Sequence, residues 1–223
     1  MVLTAMYDWS PLFLSLQLAF VTTLCLLFLG IPIAYALSMS RSKYKFLLEA
    51  VVSLPLVLPP TVLGFYLLMA FSPNSGLGLF LQETFGFSLI FSFGGLVLAS
   101  MLYSLPFMVQ PIQAGLEGVS TTLVEAAYTM GKTKWEVLWK VLLPNIQPAV
   151  LTGIVLSFAH TIGEFGVVLM IGGKIPKETL VASIAVYDQV EALEYGQAHF
   201  YAMVLLVTSF CILSILYYIN KKV

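Results

Sequence analysis

The sequence predicts an all-α membrane protein, folded as one bundle of five membrane-spanning helices. Hydrophobic residues make up 60% of the chain and charged residues only 9%, whereas about 25% of residues are charged in soluble domains. A span needs about 20 mostly apolar residues, and such stretches occur at about 12–37, 46–71, 89–109, 148–171 and 200–219. They predict a single transmembrane domain over residues 10–220.

The basic residues between these stretches predict the orientation of the bundle. One set of connections contains Arg41, Lys43, Lys45, Lys132, Lys134, Lys140, Lys221 and Lys222. The opposite set contains only Lys174 and Lys177. Because Lys and Arg concentrate in cytoplasmic loops, the first set is expected in the cytoplasm. The N-terminus is then outside and the C-terminus inside, as an odd number of spans requires.

Composition also narrows the class of function. The net charge of −1 gives no reason to expect nucleic-acid binding. No basic residue precedes Arg41, so the first apolar stretch is expected to be a retained span and not a cleaved signal. Cys25 and Cys211 lie in separate apolar stretches, and His160 and His199 are the only histidines. Neither a disulfide, a metal site nor a catalytic group is predicted.

The second span is interrupted by prolines. Pro55, Pro59 and Pro60 occur within it and Gly64 follows. Proline frees backbone carbonyls, which is tolerated inside a membrane only where protein or water satisfies them. Two interpretations stay open: a kinked helix that faces the protein interior, or a helix that starts late with the prolines in its first turn.

The longest polar interruption covers residues 120–144, and we refer to it as the polar segment. It contains two candidate capping boxes, Thr122 with Glu125 and Thr133 with Glu136. In a capping box the hydroxyl and the carboxylate each satisfy a backbone N–H at a helix start. The pattern therefore predicts two helices between the third and fourth spans.

A glycine separates the two predicted helices. Gly131 suits the left-handed backbone that ends many helices, and Pro144 closes the polar segment. The triplet from Gly131 to Thr133 is similar to the end of a phosphate-binding loop, but that loop needs a glycine where Ala126 stands. We expect no nucleotide site on this chain.

The fourth span contains two polar residues, His160 and Glu164. Their i, i+4 spacing predicts one shared helix face and a hydrogen bond between them. A carboxylate in a span costs about 2.5–3.5 kcal/mol, so Glu164 should face the bundle interior. With Pro59 and Pro60 they are candidates for a gate or pathway; the alternative is an interhelical hydrogen bond that only locks packing.

Two glycines and a second polar stretch complete the sequence pattern. Gly163 and Gly166 bracket Glu164 and are expected to allow close helix approach. Between the fourth and fifth spans, residues 179–193 predict an amphipathic helix, with Leu180, Ile184 and Tyr187 on one apolar face. Its acidic residues are expected to turn toward water or a partner.

The polar segment resembles the EAA loop of ABC-importer permeases. The family pattern is E-A-A, three residues, G, nine residues, I-x-L-P, and here Glu125, Ala126, Ala127, Gly131 and Pro144 match it, with Val141 in place of isoleucine. The resemblance implies that residues 125–131 form a coupling helix. That helix would dock on a separate ATP-binding subunit, which binds ATP and Mg, so no cofactor is expected on this chain.

Longer strings extend the resemblance. Residues 54–64, 116–119 and 158–173 are similar to the molybdate branch of these permeases, whose relatives carry tungstate and sulfate or thiosulfate. The resemblance implies a homodimer in the cytoplasmic membrane, served by an extracytoplasmic oxyanion-binding protein and working by alternating access. It implies a permease subunit that is not itself an enzyme.

Two other classes of membrane protein are alternatives to an ABC-importer permease. A self-sufficient secondary transporter would show inverted repeats and paired intramembrane ionisable residues, and the sequence offers one such Glu and no repeat. A non-transporting membrane scaffold would need no ATPase partner for its polar segment.

Overall fold

The computed structural model describes residues 8–220, and it is helical. No β-strand occurs within those residues. The helices are α1 Ser10–Met39, α2 Lys45–Val57, α3 Pro60–Phe71, α4 Gly76–Phe85, α5 Phe93–Glu117, α6 Thr121–Thr129, α7 Lys134–Val137, α8 Leu143–Asn145, α9 Gln147–Gly163, α10 Gly166–Gly172, α11 Ala182–Glu191 and α12 Tyr195–Asn220, with a π-helical turn at Leu138–Leu142 between α7 and α8.

Three helices are each long and apolar enough to cross a membrane: α1, α5 and α12. Two bent pairs raise the number to as many as five. In one pair α2 meets α3 at 109°, and in the other residues 134–145 meet α9 at 79°. The predicted all-α bundle is therefore confirmed, while its orientation stays a prediction.

The second span is broken, more sharply than a kink. Helix α2 ends at Val57, and α3 begins at Pro60 with Pro59 as its N-cap. Proline has no N–H and its ring clashes with the preceding turn, so it stops α2 but suits the first position of α3. Each of the two interpretations therefore describes part of the observed break.

The helices do not have the same bounds as the predicted apolar stretches. The third span was expected over about 89–109, and α5 runs from Phe93 through Pro106 and Pro111 to Glu117. The connection between the second and third stretches contains α4. The Ser75 hydroxyl caps this helix by accepting from the Gly78 amide, and Gly86 ends it with a φ of 70°.

The segment between α10 and α12 is held by an ion-pair cluster. The Lys174 ammonium lies 2.7 Å from Asp188 and 2.8 Å from Glu191, and these hydrogen bonds raise the pKa of Lys174. Both carboxylates thus have a partner within the chain. Helix α11 is shorter than predicted, and of its expected apolar face Ile184 is buried while Tyr187 is 41% exposed.

The bundle is built around α5, which packs against both α1 and α9. Met108 of α5 is fully buried and lies between two glycines. A Cβ added at Gly30 of α1 would lie 2.6 Å from the Met108 Cγ, and one at Gly153 of α9 would lie 3.0 Å from its carbonyl oxygen. Small residues therefore set how closely these three helices approach.

We predict that Gly115→Ala destabilises the contact between α5 and α9. A Cβ at this position would lie 2.7 Å from the Cβ of Ala149, which cannot rotate away, so the helices must separate at a cost of about 1–3 kcal/mol. The apparent melting temperature of the purified protein in detergent should fall. Gly196→Ala is the matched control, because nothing lies within 4 Å of that position. Equal melting temperatures for the two variants would contradict the prediction.

Candidate functional site

The polar segment folds as two helices around a glycine turn, as its sequence predicts. Helix α6 ends near Met130, and Gly131 follows with a φ of 77°. The turn is closed by the Lys132 amide, which donates to the Ala127 carbonyl at 3.2 Å. Only glycine adopts this backbone region without strain.

One of the two predicted capping boxes is present. The Thr133 amide donates to Glu136 at 3.1 Å, and the Glu136 amide donates to the Thr133 hydroxyl at 3.3 Å. The Lys140 ammonium also donates to the Glu136 carboxylate at 3.0 Å. The carboxylate therefore fixes both the start of α7 and the position of a side chain one turn later.

The other capping box was wrong. Helix α6 begins at Thr121, so Thr122 lies inside the helix and its hydroxyl caps nothing. Ser120 occupies the N-cap position without a side-chain hydrogen bond. Glu125 is exposed, and its carboxylate makes no hydrogen bond or ion pair with residues 8–220. It is therefore free to contact another molecule.

The polar segment is anchored to the bundle from its second half. Val137, Leu138 and Leu142 are at most 1% exposed, and they belong to one buried cluster with side chains of α1 and α5. Ala127 joins the same cluster at 7% exposure. Of the residues that match the family pattern, Ala127 thus faces the bundle, while Ala126 is exposed.

The exposed side of α6 and its turn has an apolar surface. Leu123 and Tyr128 are each 41% exposed, and Met130 is 77% exposed. Exposed apolar side chains that are grouped together commonly mark a protein interaction site. We refer to Leu123, Glu125, Ala126, Tyr128 and Met130 as the α6 surface.

Pro144 lies where the second half of the polar segment changes its helical form. Proline cannot donate to the carbonyl four residues earlier, and the backbone widens here into a π turn in which the Leu143 amide donates to Leu138. The Asn145 side-chain amide donates to the Val141 carbonyl at 2.7 Å. Such insertions are frequent at functional sites.

A second candidate site is a cavity of about 460 Å³ between α3, α5, α9 and α10. It is lined by Pro60, Thr61, Tyr103, Ala159, His160, Gly163, Glu164, Phe165 and Gly166. Three of the four candidate gate residues therefore meet in one place. The fourth, Pro59, is exposed and does not line the cavity.

The cavity lies where two helix breaks meet. Helix α9 ends at Gly163, Glu164 is extended with a ψ of 135°, and α10 begins at Gly166. A Cβ at Gly166 would lie 2.7 Å from the Cβ of Pro60, and one at Gly64 would lie 2.8 Å from the Cβ of Met170. Of the two bracketing glycines, Gly166 allows close approach as expected, whereas nothing lies within 4 Å of a Cβ at Gly163.

His160 and Glu164 do not hydrogen-bond to each other, so the predicted pair was wrong. The i, i+4 geometry is lost because the helix ends before Glu164. His160 Nδ1 instead lies 2.9 Å from the Ser104 hydroxyl of α5. Its ring stacks on Phe107, with the ring centroids 4.1 Å apart. His160 therefore makes interhelical contacts between α9 and α5.

Glu164 lies in a different environment from His160. The residue is only 4% exposed, and neither carboxylate oxygen has a hydrogen-bond partner among residues 8–220. The Ser100 hydroxyl lies beside it, outside hydrogen-bonding geometry. A buried carboxylate that is unpaired is costly, so its place beside the cavity indicates a function other than packing.

Sequence reasoning missed the α5 contribution to this site. Ser100, Ser104 and Tyr103 all lie on α5 beside Glu164 or His160. Ser100 and Ser104 are spaced i, i+4 in an apolar span, and this spacing was the available signal. Within residues 8–220, no group of three or more His, Cys, Asp or Glu side chains is placed to hold a metal ion.

Comparison with known proteins identifies the family. Residues 26–223 match the family described as binding-protein-dependent transport system inner membrane component. The molybdenum transport system permease protein ModB of Azotobacter vinelandii is 46% identical over 95% of this chain and 93% of its own. ModB of Escherichia coli K12 is 38% identical over 82% of this chain and 80% of its own. The sulfate transport system permease protein CysT of that strain is 34% identical over 89% of this chain and 72% of its own.

Solved structures show the same fold at lower identity. The MetNI methionine ABC transporter in an inward-facing conformation matches with a TM-score of 0.73 and 18% identity, over 95% of this chain and 94% of its own. A bacterial ABC transporter involved in the import of alginate matches with a TM-score of 0.75 and 17% identity, over 96% of this chain and 79% of its own. The chain therefore belongs to the family of inner membrane components of binding-protein-dependent transport systems.

Proposed function

We propose that this chain is the permease subunit of an ATP-driven importer that carries molybdate across the cytoplasmic membrane. The observation that supports it most directly is the polar segment, in which an exposed helix is joined rigidly to the buried core of the bundle. The family match and the molybdenum permease relatives, one of them 46% identical, support the cargo.

The partners follow from the chemistry that this chain does not contain. Shifting a two-state bundle from 1:99 to 99:1 takes about 5.5 kcal/mol of differential binding. With Ala126 in place of the glycine that a phosphate loop needs, a separate subunit binds ATP and Mg and supplies this free energy. That subunit docks on the α6 surface. A second copy of this chain and an extracytoplasmic oxyanion-binding protein complete the importer.

Force passes from α6 to the spans through side-chain packing. When the ATP-binding subunits close, they displace α6 and the Gly131 turn. Val137, Leu138 and Leu142 pass this displacement to α1 and α5, because they pack in one buried cluster with side chains of both helices. The helix breaks at Pro60 and Glu164 are the points where α3 and α10 can move relative to α2 and α9.

Glu164 acts as a gate in the anion pathway. A carboxylate does not bind a dianion directly, since like charges repel. Held beside the cavity, it raises the barrier for the anion until the bundle changes conformation and carries the side chain away. His160 and Ser104 hold α9 against α5 next to it.

Radiolabelled molybdate uptake tests the proposed cargo. Vesicles that contain this chain, its ATP-binding subunit and the binding protein should take up molybdate only with ATP. Unlabelled molybdate should compete fully, tungstate strongly, and sulfate weakly at the same concentration. The alternative cargo, sulfate or thiosulfate, finds weak support in the 34% identical sulfate permease, and full competition by sulfate would favour it.

A charge on the α6 surface is predicted to uncouple the importer. Ala126→Glu should weaken association with the ATP-binding subunit at least about tenfold, equivalent to about 1.4 kcal/mol, because it places a charge in an apolar contact. Ala127 is unsuitable for this test, since it is buried in the bundle. Association is measured by titrating the ATP-binding subunit onto the purified permease in detergent.

Ala192→Glu is the matched control. Ala192 is an exposed alanine like Ala126, but it lies at the end of α11, in the connection predicted outside the cell. It should associate like the wild type. Unchanged association of Ala126→Glu would show that α6 is not the docking element.

Removing the charge of Glu164 is predicted to open a leak. In Glu164→Gln the shape of the side chain is kept while the repulsion of the dianion is lost. A leak increased about tenfold is expected, equivalent to a barrier lowered by about 1.4 kcal/mol. Efflux of labelled molybdate from preloaded vesicles without ATP measures it.

Glu83→Gln provides the control, because Glu83 is an exposed carboxylate on α4. It should leak no more than the wild type. If Glu164→Gln changes neither the leak nor ATP-driven uptake, Glu164 has only a packing role.

A further inference from the structure

The second half of the polar segment runs across the axis of the span that follows it. Residues 134–145 meet α9 at 79°, so this stretch lies nearly in the plane of the membrane when α9 crosses it. Two tryptophans on it are largely exposed, Trp135 by 65% and Trp139 by 60%. Tryptophan side chains of this kind concentrate at the membrane–water interface.

An apolar groove opens beside Trp139. Its volume is about 400 Å³, and it lies between α1, the polar segment and α9. The lining includes Leu27, Ile31, Trp139, Leu143, Val150 and Ile154. Apart from Gln147, the residues described as lining it are apolar, so water has few partners there and hydrocarbon fits better.

The chain segment that contributes Trp139, Leu143 and Pro144 to the groove is positively charged. Residues 132–145 contain Lys132, Lys134 and Lys140, with Glu136 as their single carboxylate. Glu136 pairs with Lys140 at 3.0 Å and with Lys132 at 3.8 Å. Lys134 is exposed and makes no ion pair with the residues that the structure describes.

We propose that this groove binds an anionic glycerophospholipid of the cytoplasmic leaflet. One acyl chain fills the space between α1 and α9, Trp139 lies along it, and Lys134 and Lys140 contact the phosphate. Each lysine near an anionic lipid surface increases the affinity for that lipid by a few-fold. Each buried methylene of the acyl chain increases the affinity further. The proposal rests on the cytoplasmic placement of the polar segment, but not on the cargo.

A lipid in this groove would lie beside the residues that anchor the polar segment to the bundle. Leu143 and Pro144 line the groove, and the neighbouring Leu138 and Leu142 are the buried anchors of the polar segment. A lipid in the groove therefore packs against the outer side of the same turn. It thereby supports the π turn at Leu138–Leu142.

Tryptophan quenching by brominated lipids tests the proposal. A variant with Trp9→Phe and Trp135→Phe keeps Trp139 as its one tryptophan. It is reconstituted in vesicles of phosphatidylcholine and phosphatidylglycerol, with bromine on the acyl chains of one lipid at a time. Phosphatidylglycerol should quench Trp139 with a relative association constant about five-fold higher than phosphatidylcholine.

Two controls separate a selective site from ordinary lipid contact. A variant that keeps only Trp9, at the other end of α1, should show no preference. Adding Lys134→Gln and Lys140→Gln to the Trp139 variant should bring the ratio to about one, with quenching by both lipids retained.

Two results would overturn the proposal. Equal quenching of Trp139 by both lipids would mean that no headgroup is selected. Absence of quenching by either lipid, while Trp9 is quenched, would mean that protein covers the groove, as in contact with a second copy of this chain. Because neither ATP nor cargo is present, a failed molybdate uptake assay would leave this result unaffected.

Discussion

The burial of Val137, Leu138 and Leu142 in one cluster with side chains of α1 and α5 is the contact on which the proposed coupling depends. A polar segment between two spans would otherwise be a mobile loop, and a partner that pulled on it would move only the loop. With these side chains at most 1% exposed, the second half of the segment is part of the core. Dense packing transmits displacement instead of absorbing it, so α6 can serve as a lever.

The proposed change of shape is located at two helix breaks. Helices α1 and α5 are continuous, whereas the other helices that line the cavity adjoin an interruption, at Pro59 between α2 and α3 and at Glu164 between α9 and α10. Interrupted helices inside a membrane are tolerated where the freed backbone faces protein or a cavity. Here the Ser183 hydroxyl donates to the Glu164 carbonyl, so a side chain satisfies the broken helix end.

The sequence predicted the class, the five apolar stretches and the glycine turn, because each depends on local composition. It predicted one capping box rightly and one wrongly from the same four-residue pattern. At Thr133 the preceding glycine turn forces a new helix start, whereas at Thr122 nothing stops the helix from starting one residue earlier, at Thr121. The predicted hydrogen bond between His160 and Glu164 was wrong for a related reason. Its i, i+4 spacing assumes a continuous helix, and only the three-dimensional structure shows that the helix breaks after Gly163.

If Glu164 is the gate that we propose, the cost of burying its carboxylate and the barrier that it presents to the anion act on different states. Burial without a partner destabilises the conformation in which Glu164 faces the cavity, so that conformation has to be held by packing elsewhere. Gly166 against Pro60 and Gly64 against Met170 supply such packing between α10 and α3. A displacement of α3 that loosens these contacts also releases the carboxylate. In the proposed mechanism, Glu164 therefore both closes the pathway and keeps this conformation ready to change.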